Sequence, residues 1–362
     1  MKIGFILGIK ETTEQISGVN RATRASIGEL MHQFPENEYY SLCDNYLQLP
    51  LKESEYYKID IKNEYDYMGM GLIEECDIIH SFYNPYDYMF NKVKKVLTIH
   101  DLIPMRHPEW FNDGVGEFFN KRVRKAAEMS SAIITPSYAT KQDVIELYGI
   151  DSSKIHVVSW GVEPTIDYEK SDKTIFERFD LTEGYVLSVC TIEPRKNLRR
   201  SISAFIQYKK RSESRVKLAI CGKMGWDKEF EKFYESLGEH RKDVIRLGYV
   251  SDAELSALYK NAIAFVYNSF YEGFGLPVLE AMKCGKAVLT SNASSIPEVG
   301  GDAVCYCNPY DEDSIAEGFA KIIDDNGYRS ALEKNALIQA SKFSFKQTAQ
   351  DIIKVYEHVL GL

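Results

Sequence analysis

Residues 268–299 read NSFYEGFGLPVLEAMKCGKAVLTSNASSIPEV and follow directly on the apolar run AIAFVY at 262–267. A short run of β-branched and aromatic residues closed by polar ones predicts a buried strand. The loop after it then lies at the carboxyl edge of a parallel sheet, where open α/β sheets bind their ligands. Glu272 comes first in that loop, Gly273 and Gly275 let the backbone approach a ligand closely, and Pro277 suits the first turn of a helix over Val278–Cys284. The amides of Phe274, Gly275 and Leu276 then sit near the positive end of a helix, which favours a phosphate. Glu280 is expected in the first turn of the same helix. Two carboxylates flanking an amide cradle can accept hydrogen bonds from sugar hydroxyls while the amides hold a diphosphate. Taken by itself, Glu280 reads equally well as a surface acid at a helix N-terminus.

Outward from this segment the same alternation runs along the whole chain. KIGFIL, CDIIHSF, VKKVLTI, SAIITPS and KIHVVSW in the first half, then YVLSVC, VKLAIC, VIRLGYV, AIAFVY, AVLTS and AVCYC, each have the length of a buried strand. Helical patterns lie between them at Val19–Gln33, Gly116–Met129, Tyr138–Tyr148, Leu198–Arg211, Asp252–Asn261 and Glu312–Asp324. Strand and helix in alternation imply parallel sheets covered on both faces, an α/β doubly wound class. The alternation pauses over Trp160–Thr182, where turn formers and charges replace periodicity and a linker is expected. Two helical patterns, Tyr328–Ser341 and Phe345–Leu360, close the chain with no strand between them, and no element is assigned to the aromatic-rich stretch Glu53–Met70.

The chain has 362 residues, enough for two domains of about 150 to 200 residues each. At 44% hydrophobic and 27% charged it is globular in composition, not disordered or fibrous. Forty-four Lys and Arg against 53 Asp and Glu give a formal charge of −9, which works against broad attraction to nucleic acid or anionic lipid. No run approaches the roughly 18 to 20 apolar residues of a membrane span, and the opening MKIGFILGIKETTEQ reads as a first strand rather than a signal peptide. Seven scattered cysteines suit reduced, buried thiols of a cytosolic protein. Cys305 and Cys307, two apart on a strand, share one face and are expected to pack in a core, with no second pair to complete a zinc site.

Four more segments hold chemistry-bearing residues at strand ends. SVCTIEPRKNLRRSISAF, 188–205, presents Arg195 and Lys196 between a strand and a helix, suited to a diphosphate or to a solvated basic turn; Arg199 and Arg200 are expected to face solvent. AICGKMGWD ends a strand at Gly222 and Lys223, and IRLGYVSDAELSALYKNA carries Tyr249 and Val250 just past another. VLTIHDLIPMRHPEWF, 96–111, ends a strand at His100 and Asp101; Arg106 and His107 either touch an acceptor or decorate a loop. QISGVNRATRASIGEL, 15–30, puts Gly18 at a helix entrance, where Ser17–Gly18 serves either as an N-cap and turn or as a phosphate-approaching loop. Finally, KRVRKAA at 121–127 sets four cations in five positions, either a solvated helix or a contact with a lipid phosphate or membrane surface.

Residues 268–299 resemble the nucleotide-sugar motif of the retaining glycosyltransferases of family 4, with its Glu, seven residues, Glu pattern, here Glu272 and Glu280. EPRKNL, GKMGW and TIHDLIP also look like family segments, in particular those of its mannosyltransferase-like branch. The resemblance implies the GT-B architecture, two Rossmann-like domains facing a cleft. It places an acceptor-side domain at 1–162, joined by the C-terminal helix 345–362, and a nucleotide-sugar domain at 163–344. By the same resemblance Glu272 contacts the transferred sugar, Glu280 the donor ribose, Arg195 and Lys196 the leaving diphosphate, and His100 the sugar. Gly222, Lys223, Tyr249 and Val250 would lie along the nucleotide, and Gly18 near the phosphates, although many members have two adjacent glycines where this chain has Ser17–Gly18. Asp101 is left to orientation or helix capping.

The activity so implied is a retaining, metal-independent hexosyl transfer from a nucleoside-diphosphate sugar, best matched to GDP-mannose. The acceptor would be a saccharide or lipid-linked saccharide of surface polysaccharide synthesis. No cofactor is expected. The sequence has no Asp-x-Asp metal motif in a comparable loop, no candidate lysine loop for pyridoxal phosphate, and no Gly-x-Gly-x-x-Gly turn for NAD. The setting expected is cytoplasmic or peripheral at the inner face of the plasma membrane. A UDP-sugar glucosyl or N-acetylglucosaminyl transferase and a non-catalytic scaffold of a polysaccharide assembly complex are the alternatives; intact Glu272, Glu280, Arg195 and Lys196 argue against the scaffold.

Overall fold

The computed structural model describes residues 1–6, 18–42, 64–65, 75–82, 93–162, 174–181 and 184–362. The chain divides into two compact units, Met1–Glu163 with Phe343–Leu362, and Pro164–Lys342.

The first unit is built on a seven-stranded sheet in the order β3-β2-β1-β4-β5-β6-β7: β1 Lys2–Ile6, β2 Glu38–Leu42, β3 Glu64–Tyr65, β4 Ile78–Ser81, β5 Lys94–Thr98, β6 Ala132–Thr135 and β7 Ile155–Val157. Every pairing is parallel. β4 and β6 are buried along their full length, as strands covered on both faces must be. β2 and β3 were not expected from the sequence, because EYYSL and EY are too polar or too short to stand out as buried runs.

Helix α1, Gly18–Gln33, and α2, Tyr138–Tyr148, flank this sheet; α2 starts on Ser137, whose side chain accepts the Thr140 amide, and ends on left-handed Gly149. The helix expected over 116–129 forms as one unbroken helical run, a turn Val115–Phe118, a π-turn Phe119–Val123 and Arg124–Met129. Arg124 beyond the π-turn lies 5.6 Å over the Tyr148 ring and donates to the carbonyls of Leu147 and Tyr148 at the end of α2.

The second unit has a six-stranded parallel sheet in the order β10-β9-β8-β11-β12-β13: β8 Tyr185–Val189, β9 Lys217–Cys221, β10 Val244–Gly248, β11 Ala264–Tyr267, β12 Ala287–Ser291 and β13 Cys305–Cys307. Its helices are α3 Leu198–Arg211, α4 Asp252–Asn261, α5 Leu276–Lys283, α6 Ile296–Gly300, α7 Glu312–Asp324 and α8 Asn326–Ala340. α3 and α7 cross edge-to-face at Phe205 and Phe319, both fully buried, each contributing about 1.5–3 kcal/mol by leaving water. Cys305 and Cys307 are both buried on one side of β13, in the packing role expected for them. The last helix, α9 Phe345–Leu360, belongs to the first unit and joins its core through Ala349, Ile352, Ile353 and Tyr356. Its Tyr356 hydroxyl lies 2.6 Å from Nδ1 of His80, whose Nε2 is 2.8 Å from Thr98 Oγ1, so a fully buried imidazole fastens the helix to the middle of the sheet.

In the second sheet the strand order reverses between β8 and β11. The crevice outside the carboxyl ends of those two strands is the place where such sheets take ligands. The loop after β8 carries Arg195 and Lys196, and the loop after β11 carries Glu272.

Candidate active site

The two loops meet around one carboxylate. After β8 the chain forms a 3-10 turn, Pro194–Lys196, and then turns sharply at Asn197, which adopts a left-handed φ of 57°. The buried Asn197 amide stabilises that conformation by donating to the carbonyls of Asn268 (3.1 Å) and Pro309 (2.7 Å), and the Phe270 amide donates to the Arg195 carbonyl. With the loops tied together, Glu272 Oε2 lies 2.6 Å from Arg195 Nη1 and Oε1 lies 2.7 Å from Lys196 Nζ. Arg195 Nε in turn meets Glu193 Oε1 at 2.6 Å.

Burial works to raise the Glu272 carboxyl, and the Arg195 and Lys196 cations override it, holding it at about 2. Lys196 also reaches the Tyr267 hydroxyl at 2.5 Å. Burial, reinforced by Glu272, keeps that phenol protonated, well above its ordinary range. Lys196 and Glu272 are 9% and 6% exposed, so the basic turn is not a solvated one. Arg199 is exposed and paired with buried Asp227 at 3.1 Å, as a partly solvent-facing group. Arg200, contrary to expectation, is half-buried, bonding Asn197 Oδ1 and the Pro309 carbonyl and lying over the Phe270 ring.

The backbone of Glu272 is held from the next strand loop. Its amide donates to Ser294 Oγ at 2.8 Å, and the fully buried Ser295 hydroxyl lies 2.9 Å from the Glu272 carbonyl and 2.8 Å from that of Phe274. Ser294 takes a φ of 48°, a strained value for a residue with a side chain. No spacing rule in a single sequence marks these two serines.

Gly275, with φ of 117°, forms the N-cap of α5, and a Cβ there would fall 2.8 Å from Ile296 Cδ1. The helix begins at Leu276, two residues before the expected start, because Gly275 makes the turn and Pro277 occupies the first turn. Glu280 therefore stands in the second turn, half-buried, with Oε2 2.8 Å from the Tyr259 hydroxyl of α4. It is not the terminal surface acid of the alternative reading. Phe274 is buried and Leu276 half-buried at the mouth of the helix.

A separate cavity of about 730 Å³ opens beside the ends of β9 and β10. It brings together Gly222, Lys223 and Tyr249, with Lys223 Nζ 5.3 Å over the half-exposed Tyr249 ring. Only glycine fits at 222: φ is 139° and a Cβ would fall 2.0 Å from the Cys190 carbonyl oxygen. Val250 is buried and does not line this cavity.

His100 and Gly18 belong to the first unit. His100 Nε2 donates to the Phe82 carbonyl at 2.6 Å, and its ring lies 5.6 Å from Trp160. Burial lowers the imidazole to about 4 against the opposing backbone bond, so at pH 7 it is neutral with its proton on Nε2. Asp101 accepts the Ile103 amide in the turn that follows, a capping role. Arg106 is taken up by Asp143 at 2.6 Å and by Glu146, and His107 stacks on Trp110 at 4.0 Å. Gly18 is the exposed first residue of α1; Ser17 and the loop before it lie outside the described residues. Of the cations at 121–125, Lys121, Arg122 and Lys125 are exposed, whereas Arg124 is half-buried. Among the described residues no three His, Cys, Asp or Glu side chains gather as a metal site, and no helix is long and apolar enough to cross a membrane.

Two parallel-sheet units of Rossmann strand order, the second carrying paired cations and a carboxylate at its switch point, are the architecture of the GT-B fold. Residues 170–339 match the family of glycosyl transferases group 1, and residues 68–166 match Glycosyltransferase Family 4. The chain belongs to glycosyltransferase family 4. It is 30% identical over 282 residues to an O-antigen chain mannosyltransferase B of Escherichia coli, covering 76% of this chain and 74% of that one. It is also 33% identical over 275 residues to the serotype-specific mannosyltransferase WbdA of Escherichia coli, covering 74% of this chain but 34% of that longer protein. In fold it is similar to Anabaena HepE, solved in complex with UDP and glucose, with a TM-score of 0.72 at 17% identity over 98% of each chain.

Proposed function

We propose that the protein transfers a hexosyl group, mannose from GDP-mannose, to a saccharide or lipid-linked saccharide during surface polysaccharide synthesis. The configuration at the sugar carbon is retained. The observation that carries this reading is the meeting of Arg195, Lys196 and Glu272 at the β8–β11 switch point: two cations suited to a diphosphate beside a carboxylate suited to sugar hydroxyls. The mannosyl donor and polysaccharide setting rest on the relatives, two of which are named as mannosyltransferases.

In this reading the second unit holds the donor, with the diphosphate against Arg195, Lys196 and the amides at the start of α5. The nucleoside runs past Glu280 toward Gly222, Lys223 and Tyr249, and Glu272 accepts from the sugar. The family resemblance assigns neutral His100 of the first unit to the same sugar, its Nε2 proton being held by the Phe82 carbonyl. The cations, in place of a divalent ion, neutralise the leaving diphosphate as its bond to the anomeric carbon breaks; the acceptor oxygen bonds that carbon from the same face, and an oxygen of the leaving diphosphate takes the acceptor proton. The protein works in the cytoplasm, with exposed Lys121 and Lys125 facing a phosphate-bearing lipid at the membrane's inner face.

A donor screen tests this. GDP-mannose is expected to support transfer in the presence of EDTA and to give an α-linked product from the α-linked donor. Turnover with UDP-glucose or UDP-N-acetylglucosamine and none with GDP-mannose would overturn the donor assignment. A β-linked product would overturn retention, and activity abolished by EDTA and restored by magnesium or manganese would overturn the role given to the cations.

A further inference from the structure

Tyr259 lies on α4 with its ring fully buried, 5.5 Å from the Phe265 ring on β11. A phenol in such a place has two side-chain torsions, both fixed by packing, so its hydroxyl is a fixed point. That hydroxyl is 2.8 Å from Oε2 of Glu280, and because a carboxylate only accepts, Tyr259 is the donor. Glu280 is half-buried in the second turn of α5, beyond the loop that carries Glu272. A glutamate on a helix has three side-chain torsions, and a rigid charge-assisted bond to one oxygen removes much of that freedom before a ligand arrives.

We propose that Tyr259 is a positioning residue for donor recognition: it fixes the Glu280 carboxylate in the orientation that accepts the ribose hydroxyls of the nucleotide. This rests on the donor reading above and adds a division of labour to it. The Tyr259–Glu280 pair acts on a part of the donor remote from the bond that breaks, so it contributes equally to ground and transition states and sets KM, not kcat. Its influence also passes only through ribose hydroxyls, so it sets the preference for a ribonucleotide over its deoxy analogue.

The experiment compares wild type and Tyr259→Phe, a substitution that keeps the ring and removes only the hydroxyl. GDP, UDP and the 2′,3′-dideoxy counterpart of each are titrated calorimetrically, alongside donor KM, kcat and the melting temperature. The ribonucleotide that wild type binds is expected to lose about five- to twentyfold in affinity with Tyr259→Phe, with donor KM rising by a similar factor. Its dideoxy counterpart should be unaffected and kcat should stay within about twofold. In a Glu280→Gln background the added Tyr259→Phe change should cost much less ribonucleotide affinity than it does alone.

Equal losses for the ribo- and dideoxynucleotide, or a fall in kcat at unchanged KM, would assign Tyr259 a general structural role and overturn the inference. Unchanged ribonucleotide binding in Tyr259→Phe would overturn it while leaving the donor reading intact. Wild-type protein that binds neither GDP nor UDP would overturn the donor reading itself and this inference with it.

Discussion

Lys196 Nζ and Glu272 Oε1 lie 2.7 Å apart, and Arg195 Nη1 is 2.6 Å from the second oxygen of the same carboxylate. One acidic side chain thus engages both cations offered to a diphosphate. With Glu193 on Arg195, the four formal charges of this cluster sum to zero. In the proposed donor complex a diphosphate competes with Glu272 for Lys196 and Arg195, and its arrival would release Glu272 toward the sugar. It follows that Glu272→Gln, which keeps the shape and removes the charge, binds a nucleoside diphosphate about three- to tenfold more tightly than wild type while losing transfer. Calorimetry with GDP, set beside an activity assay, measures both. Weaker or equal binding by the variant would show that the carboxylate does not compete.

Removing Lys196 has a different signature. Lys196→Ala loses a charge-assisted contact to the diphosphate, lowering kcat/KM about ten- to a hundredfold. Because Lys196 is buried against Tyr267 and Glu272, the change also leaves part of a buried carboxylate without its partner, and about 1–3 kcal/mol of stability goes with it. Chemical denaturation and kinetics on one preparation test both effects. Near-normal turnover would remove Lys196 from the site, and unchanged stability would contradict its buried pairing.

The division between what the sequence reveals and what it conceals follows from the physics of each feature. Strands β4, β6, β11 and β12 are buried along their full length and mostly apolar because both faces are covered, and α2, α3, α4, α7 and α9 have the bounds their periodicity predicts. The loops holding Arg195, Lys196 and Glu272 are legible for the same reason, since strand-to-helix transitions locate carboxyl edges. Burial of Lys196 is not legible, because a basic turn looks solvated until the carboxylate 76 residues away is brought to it. Tyr259 and Ser295 hide for a related reason: a Tyr in an amphipathic helix and a Ser in a polar loop are ordinary residues whose partners, Glu280 and Glu272, lie across the sheet edge. The π-turn at Phe119–Val123 changes the helix by a fraction of a turn and leaves the apolar pattern nearly intact.

The serine clamp yields a third expectation. Ser295 Oγ serves the carbonyls of Glu272 and Phe274 with one proton between them, and no water-exposed surface surrounds it. Ser295→Ala leaves both carbonyls without that donor, costing about 1–3 kcal/mol, and loosens the backbone that aims the Glu272 side chain. Transfer should fall by about tenfold or more in kcat, since displacement of a reacting-centre contact is felt in the transition state. The paired measurement is a denaturation curve with kcat at saturating donor. A variant with full kcat would mean that the ion pairs alone hold Glu272 in place.

The last expectation concerns pH and the first unit. Burial lowers His80 to about 3 and His100 to about 4, and half-buried His156, next to His358, is pushed the same way. In the unfolded chain each returns to about 6.5. Above that value folded and unfolded states are both neutral at these positions and stability is fully present. Below it the unfolded chain takes up protons that the folded unit refuses, so stability falls with falling pH until the folded imidazoles titrate. The slope is about 1.4 kcal/mol per pH unit for each histidine, so His80 and His100 together cost about 3 kcal/mol by pH 5.5. Glu272, held at about 2, does not titrate in that window. Calorimetric melting between pH 7.5 and 5.5 should show the first unit losing several degrees. His80→Gln, which keeps polar atoms near Tyr356 and Thr98, should lower the melting temperature at pH 7.5 yet flatten its dependence on pH. An undiminished pH slope in that variant would show that His80 is not the group taking up the proton.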